Sequence, residues 1–461
     1  MVTDESSTIK KALSINLDPQ LYGTFAEIGA GQEVARHFFK AGLASQTVAK
    51  TISAYDMTFS DEIYGKEKSG RYVVESRLNK MLEKEFRLLQ KRLLDQRGKN
   101  TRFFAFANTV TTSSGEGRRK HGWLGLRFQT KAQSEPHDII LHANFLDQAR
   151  LQQQDCIGIL GVNLIDSALN FNGNIETFVS SLIDNLGRER VEIDMLKFSG
   201  PSFKKIDNRL VGLELVKQGL THAMMFSPQG EVVHAADHLF NKSVLIQRGT
   251  YRPVTTTDVD ILNHGIDHTN AKSKKLQVIL EISMSKLKQN GEVDTQDFLN
   301  RIEALSLLGH SMMISDFLLF YELKNYLKYY TRDQIFMVIG ASHLEKLFTE
   351  SYYKHLDGGI LSAFGQLFDE NTKLLVFPFK TENLCKTAKT FNPKPKLKFL
   401  FQHLLYNKYI EDIFGCDDID TTIHSETVRE LLKQKNKKWE KLVPVEIKDF
   451  IKKKRLFRDK K

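Results

Sequence analysis

The chain has 461 residues, with 66 Lys and Arg against 56 Asp and Glu and a formal net charge of +10. At 41% hydrophobic and 26% charged residues it belongs to the globular class, and its length allows one large domain with appendages or two to three smaller ones. Its most apolar stretch, Cys156–Ile165, falls well short of the roughly 20 residues that a bilayer span needs, which excludes membrane insertion. The opening, Met1-Val2-Thr3-Asp4-Glu5, is polar and has no signal-peptide core. Cys156, Cys385 and Cys416 are widely spaced and odd in number, and make neither a disulfide framework nor a zinc knuckle. The expectation is a cytoplasmic protein with free thiols.

The first hundred residues read as helical. Leu21, Phe25, Ile28, Ala35, Phe38 and Phe39 mark one run, which Gly42 ends. Val74, Leu78, Met81, Leu82, Phe86, Leu89 and Leu93 recur at three- and four-residue steps up to Gly98. Arg102–Thr109 and Trp123–Gln129 then flank a polar loop, Ser113–Lys120, and read as a β-hairpin.

From Asp138 the texture becomes short strands alternating with helices. The strand candidates are 139–145, 191–197, 222–227, 244–248, 277–282, 311–315, 335–339 and 374–377. Helical stretches at 207–218, 257–268, 294–308, 317–330 and 344–368 separate most of them. Such alternation implies an α/β fold with a parallel sheet. Eight strands over about 240 residues suit a (β/α)8, TIM-type barrel of roughly 250, and an open doubly wound sheet is the alternative. Asn392-Pro393-Lys394-Pro395-Lys396 reads as a stiff linker, followed by an amphipathic helix over 397–414. The expected organisation is a helical region 1–100, a hairpin 101–137, an α/β domain 138–380 and a C-terminal region 381–461.

The charge is concentrated at the end. Residues 426–461 hold 14 basic and 6 acidic side chains, a net of +8, and leave +2 for the other 425 residues. This segment reads as a solvated basic tail, labile to protease and dispensable for folding. As an electrostatic footprint it could also meet a nucleic acid.

Gly29-Ala30-Gly31-Gln32-Glu33 resembles a phosphate-cradling loop, but the third glycine of a dinucleotide fingerprint is replaced by Val34. No strand is evident before it, so a glycine-permitted bend is the preferred reading. No Walker A and no Gly-x-Ser-x-Gly sequence occurs. Two histidine pairs at helical spacing, His234 with His238 and His264 with His268, could share a metal, but neither has the adjacent Glu of a metalloprotease helix. No metal and no cofactor is assigned.

In βα architectures the chemistry gathers at the carboxyl ends of the parallel strands. The polar residues there are Asn144, Lys197, Arg248, Arg252, Glu281, Asp316, Ser342 and His343. Arginine suits an anion, Glu281 or Asp316 a proton transfer, and His343 a partner in it. Gly358-Gly359 opens an apolar helical run and would present unhindered amides to an anion, with Gly340 and Ser342 as further donors.

Several segments carry a family resemblance: Tyr22–Arg36, Ala49–Met57, His121–Gly125, Leu160–Leu164, Ser199–Pro201, Asp207–Leu210, Arg248–Pro253 and Gly358–Leu361. Together they resemble a widespread bacterial family whose members carry the transferred names nicotinate (or nicotinamide) mononucleotide adenylyltransferase and TonB-dependent receptor. The receptor name would require a series of alternating membrane strands, which the chain lacks. The adenylyltransferase name would require a His/Thr-x-Gly-His motif, and at Gly309-His310 the required place is Leu307. No catalytic residue is therefore carried over.

Two readings follow. The preferred one is an enzyme that binds a phosphate-bearing metabolite or nucleotide at the strand carboxyl ends. The other is a non-catalytic scaffold that engages RNA or a protein through the basic tail.

Overall fold

Residues 5–113, 120–270, 275–289, 291–381, 384–416 and 422–457 are described by the computed structural model of the chain, which divides into two units, 1–222 and 223–461. The division falls inside the stretch 138–380 that the sequence suggests as one α/β domain.

The first unit contains α1 (Glu5–Asn16), β1 (Leu21–Ile28), α2 (Glu33–Ala41), β2 (Val48–Ile52), α3 (Met57–Tyr64), α4 (Glu75–Arg97), β3 (Arg102–Thr111), β4 (His121–Phe128), β5 (His137–Phe145), α5 (Arg150–Leu169), α6 (Ile175–Ser181), β6 (Val191–Ser199) and α7 (Asn208–Lys217). The sequence suggests helix for Leu21–Ile28, and the chain is strand there. Gly23 to Glu27 are buried on both faces, so the apolar run carries no alternation to reveal its period. The sheet order is β2-β1-β3-β4-β5-β6, parallel across β2, β1 and β3 and antiparallel from β3 to β6. The expected hairpin is β3 and β4, with Thr109 opposite Trp123; residues 114–119 of its loop lie outside the described residues.

Helices cover both faces of this sheet. A Cβ on Gly125 would come within 2.9 Å of Leu82, so a glycine there lets α4 lie close to the sheet. On the other face Gly161 of α5 meets Val34 of α2 and Phe106, where a Cβ would stand 2.3 Å from Val34. Ala107 pairs with Gly125, and Phe106, its chain neighbour, points the opposite way, as strand pleating requires.

The second unit contains β7 (Ala223–Phe226), β8 (Val232–Val233), α8 (Ala235–Leu239), β9 (Ser243–Arg248), α9 (Thr256–Asn270), β10 (Leu276–Ser283), α10 (Met284–Leu287), β11 (Lys288–Gln289), β12 (Glu292–Val293), α11 (Thr295–Ser306), β13 (Ser311–Ser315) and α12 (Phe320–Tyr330). It continues with β14 (Ile335–Gly340), α13 (Ala341–Leu347), α14 (Gly359–Leu367), β15 (Thr372–Phe377), β16 (Phe379–Thr381), β17 (Leu384–Lys386), α15 (Lys398–Tyr406), β18 (Ile410–Asp412), α16 (Ser425–Lys433) and α17 (Val445–Lys454). Its main sheet has eight strands in the order β18-β15-β14-β9-β10-β13-β7-β8. Six are parallel, and β7 and β8 add an antiparallel edge.

This sheet is open, with β18 and β8 at its edges, and no barrel forms. The eight expected strands all exist, but β5 and β6 belong to the first sheet and β7 runs antiparallel to β13. Strand direction leaves no trace in a short apolar run, which is why periodicity could not separate a barrel from open sheets.

The C-terminal region is part of the fold. Leu397, Phe401, Leu404 and Ile410 are in the apolar core of the second unit, and β18 extends its sheet beside β15. The basic segment is helical and packed as well: Val428, Leu432, Trp439, Ile447 and Ile451 are buried. Ser425 Oγ donates to the Pro253 carbonyl at 2.8 Å, the Thr256 amide to the Leu442 carbonyl at 3.0 Å, and Lys454 pairs with Glu303 at 2.8 Å. The solvated, dispensable tail suggested by charge is corrected here. Its lysines line one side of helices whose other side is apolar. Arg458, Lys460 and Lys461 lie outside the described residues.

The expected free thiols are corrected too. Cys385 and Cys416, 31 residues apart, form a disulfide. Cys156 is free and buried in α5, and burial pushes its thiol up to about 12. Among the described residues no helix is long and apolar enough to cross a membrane.

Candidate functional site

In the second unit β9 lies at the middle of the parallel strands. The chain proceeds from β9 to β10 and β13 on one side, then returns to place β14, β15 and β18 on the other. Strand order reverses between β9 and β14, and in open α/β sheets the crevice at the carboxyl ends of such a pair is where ligands bind. A cavity of about 510 Å³ lies at this end of the sheet. Arg248 from the end of β9, Ser283 from the end of β10, Lys286 of α10, and His343 and Lys346 of α13 line it, with Phe320, Tyr352 and Tyr353.

Arg248 is held from below. Its register partner on β10 is Glu281, which is fully buried, and Arg248 Nη2 donates to Glu281 Oε1 at 3.0 Å while Nε donates to Oε2. Ser315 Oγ, at the end of β13, also donates to Glu281 Oε1. The guanidinium is further placed over the Phe320 ring, 5.2 Å from its centroid. Glu281 thereby fixes Arg248 at the cavity wall and balances its charge.

Lys286 and Lys346 are not balanced in this way; neither enters an ion pair among the described residues. His343 lines the cavity and is exposed. Loss of surrounding water lowers its pKa most, and the charges of Lys346, Lys286 and Arg248 lower it further. Its ring is therefore neutral at pH 7. His355, another lining residue, has its Nε2 2.9 Å from Tyr321 Oη. Glu322 accepts the Leu318 and Leu319 amides at 3.2 and 3.0 Å, which caps the start of α12.

The other residues singled out by sequence fall elsewhere. Ser342 is exposed on α13, with Oγ 3.4 Å from His343 Nδ1. Gly340 ends β14, where a Cβ would approach Phe377 to 2.9 Å. Asp316 directly follows β13 and is not among the residues lining the cavity. Arg252 Nε donates to Asp297 Oδ1 at 2.8 Å. Gly358, at φ +86°, precedes α14, but the Gly359 amide already donates to the Leu356 carbonyl at 3.0 Å and is not free for an anion.

Asn144 and Lys197 belong to the first unit, where their strands run antiparallel and share no parallel-strand end. Lys197 pairs with Glu75 at 3.3 Å. Asn144 Nδ2 donates to Asp194 Oδ2 at 3.0 Å and to Glu192 Oε2 at 3.1 Å. Asp194 Oδ1 in turn lies 2.6 Å from His142 Nδ1, and His142 Nε2 lies 2.8 Å from His121 Nδ1. Asn144 is thus one member of a polar chain running across β4, β5 and β6.

The glycine loop does follow a strand, β1, contrary to the sequence reading. Gly29, at φ +103°, passes so close to Val110 that a Cβ would stand 1.8 Å from its carbonyl oxygen. Glu27 of β1 then accepts the Val34 and Ala35 amides at 3.2 and 3.0 Å, and Asn108 Nδ2 at 3.0 Å. A carboxylate of the chain already occupies the start of α2, where a bound phosphate would sit. Of the histidine pairs, His234 lies edge-on to Tyr330 with ring centroids 6.0 Å apart. His264 packs on Phe414, with ring centroids 4.9 Å apart, and His268 lies 3.1 Å from Glu411.

Lys286 and Lys346, the charges that define the cavity, are absent from the sequence-derived set. Lys286 stands three residues beyond Ser283, the last residue of β10, and Lys346 three residues beyond His343 of α13, so one further helical turn would have found them.

No family model and no curated protein matches the chain. Solved structures do. The competence/damage inducible protein CihA from Agrobacterium tumefaciens is 16% identical, over 36% of this chain and 96% of its own, at a TM-score of 0.27. A competence or damage-inducible protein from Enterobacter asburiae is 12% identical over 36% and 98%, at 0.27. A competence-damaged protein (CinA) superfamily protein from Enterobacter cloacae is 13% identical over 37% and 95%, at 0.27. These names are not mononucleotide adenylyltransferase or TonB-dependent receptor. The assignment suggested by sequence resemblance is corrected accordingly. At a TM-score of 0.27 the likeness carries no argument about this chain's chemistry.

Proposed function

We propose that the second unit is an enzyme that binds a small phosphate-bearing molecule, a metabolite or nucleotide, in the cavity at the carboxyl ends of β9 and β14. The observation that carries this reading is the convergence of Lys286, Lys346, Arg248 and His343 on one cavity beside the reversal of strand order. Arg248 is largely committed to Glu281, so the two lysines supply the charge that meets the anion. His343, neutral at pH 7, is the group able to accept a proton from a bound hydroxyl. Glu281 is a positioning residue in this reading, since its oxygens are engaged by Arg248 and Ser315. The volume of about 510 Å³ lies within the roughly 300–1,000 Å³ of small-molecule sites and leaves room for more than a phosphate group.

The test is a calorimetric titration of the full chain with inorganic phosphate, repeated on the double variant Lys286→Gln/Lys346→Gln. The expected result is saturable binding by the natural chain and a loss of about tenfold or more in the variant, about 1.4 kcal/mol or more. Equal affinity in both proteins would overturn the reading.

A further inference from the structure

The C-terminal helices of the second unit bury their apolar sides, and their exposed sides carry charge that the described residues do not balance. Lys433, Lys435, Lys437, Lys438 and Lys441 stand within nine residues, at the end of α16 and along the 3-10 turn 437–441. All five are exposed, and none enters an ion pair among the described residues. The one acid in that stretch, Glu440, is taken by Lys452 of α17 at 3.0 Å. Lys452 also lies 6.0 Å from the centroid of the Trp439 ring, so the end of α17 is held against the turn. The exposed Lys453 and Arg455, which flank that end and also lack an ion pair among the described residues, are thereby brought beside the five lysines.

A helix C-terminus favours a cation, but five lysines in nine residues exceed what one helix end answers. Two of the cations also stand where a glycine would be less strained. Lys435, two residues beyond α16, is at φ +56°, and so is Arg455, directly after α17. Glycine adopts this left-handed conformation freely and is the usual residue past a helix end. This chain places a charge at both positions.

The surface offers charge without an apolar anchor. Val428, Leu432, Ile447 and Ile451, the apolar sides of α16 and α17, are buried, so neither helix has such a side free to enter a bilayer interface. Protein interfaces centre on aromatic or aliphatic anchors, and Trp439, the aromatic residue of the turn, is buried as well. Val445 is exposed, but it begins α17, at the far end from Lys453. Phe450 and Phe457 are half-buried, with the cations of Lys454 and Arg252 at 5.8 and 5.9 Å from their centroids, which leaves little ring for an unstacked base. A partner that fits is a polyanion whose charges are closely spaced and whose bases stay stacked. We propose that this surface binds the sugar-phosphate backbone of a double-helical nucleic acid, without reading its sequence. Lysines that neutralise such a backbone release its condensed counter-ions, and the affinity falls with salt accordingly. The surface does not depend on the lysine-lined cavity of the same unit.

The experiment is fluorescence anisotropy of an end-labelled DNA duplex of about 20 base pairs, titrated with the full chain between about 50 and 200 mM KCl. One labelled single strand and vesicles of equal parts phosphatidylcholine and phosphatidylserine are titrated alongside. Lys435→Gln/Lys438→Gln/Lys441→Gln removes three charges from the surface. Lys91→Gln/Arg92→Gln/Lys99→Gln removes three exposed charges at the end of α4, and thermal unfolding establishes that both variants are folded. The expected result is saturable binding of duplexes of unrelated sequence, tighter than that of the single strand or the vesicles. The logarithm of the affinity should fall with that of the salt concentration at a slope of about −4 or steeper. The first variant should bind about tenfold or more weakly, with a slope shallower by about 2 to 3, and the second should bind as the natural chain does. Absence of duplex binding, equal loss in the two variants, or tighter binding of the single strand or the vesicles would overturn the proposal.

Discussion

At the scale of single residues, two buried carboxylates show how environment sets a role. Glu281 is compensated by a guanidinium and a hydroxyl, so removing Arg248 would leave its charge buried without a counter-ion. Arg248→Ala is expected to cost about 3 kcal/mol in urea unfolding, and Arg248→Met combined with Glu281→Gln to recover most of that loss. A double variant no more stable than Arg248→Ala would count against this role. Glu27 has no cationic partner among the described residues. It caps α2, and burial raises its pKa from 4.5 to about 7, against the pull of the Ala35 and Val34 amides. A carboxyl whose folded pKa exceeds its unfolded value binds its proton more tightly in the folded chain. Stability from this group is therefore fully present below pH 4.5 and falls as pH rises towards 7, by roughly 3 kcal/mol in total. Glu27→Gln should flatten the pH dependence of unfolding between pH 5 and 8. A curve unchanged by that substitution would show that Glu27 titrates normally.

At the scale of elements, the C-terminal helices are structural. Trp439 is 6% exposed, and Trp439→Ala should cost about 3 kcal/mol or more, read as a lowered urea midpoint. Limited proteolysis should leave 425–454 protected, and early cleavage within α16 or α17 would contradict the packing. How far elements could be read from sequence depended on amphipathicity. Helix α4 was visible because Leu78, Met81, Leu82, Phe86 and Leu89 recur on one face opposite charged residues. Strand β1 was hidden because burial on both faces erases alternation, and its neighbour α2 made the whole run look helical. Net charge alone hides the packing of the basic segment, where Val428, Leu432, Ile447 and Ile451 keep helical spacing among the lysines. Of the candidate site, Arg248 is legible as a polar residue at a strand end, and His343 as one three residues beyond β14. The same rule points to Asn144 and Lys197, but it presumes parallel strands, and there the chain is antiparallel.

At the scale of the whole molecule, the two large sheets among the described residues differ in design. The first mixes parallel and antiparallel pairs, and the start of α2 is closed by Glu27. The second is an open, mainly parallel sheet whose order reverses beside β9, where two lysines stand without acidic partners among the described residues. The central claim is that a phosphate group binds at that point. Its most direct test is a crystal structure of the full chain saturated with pyrophosphate. The expected result is the anion within hydrogen-bond distance of Lys286 Nζ and Lys346 Nζ, beside His343. Pyrophosphate bound elsewhere in the chain, or no bound pyrophosphate at saturation, would contradict it.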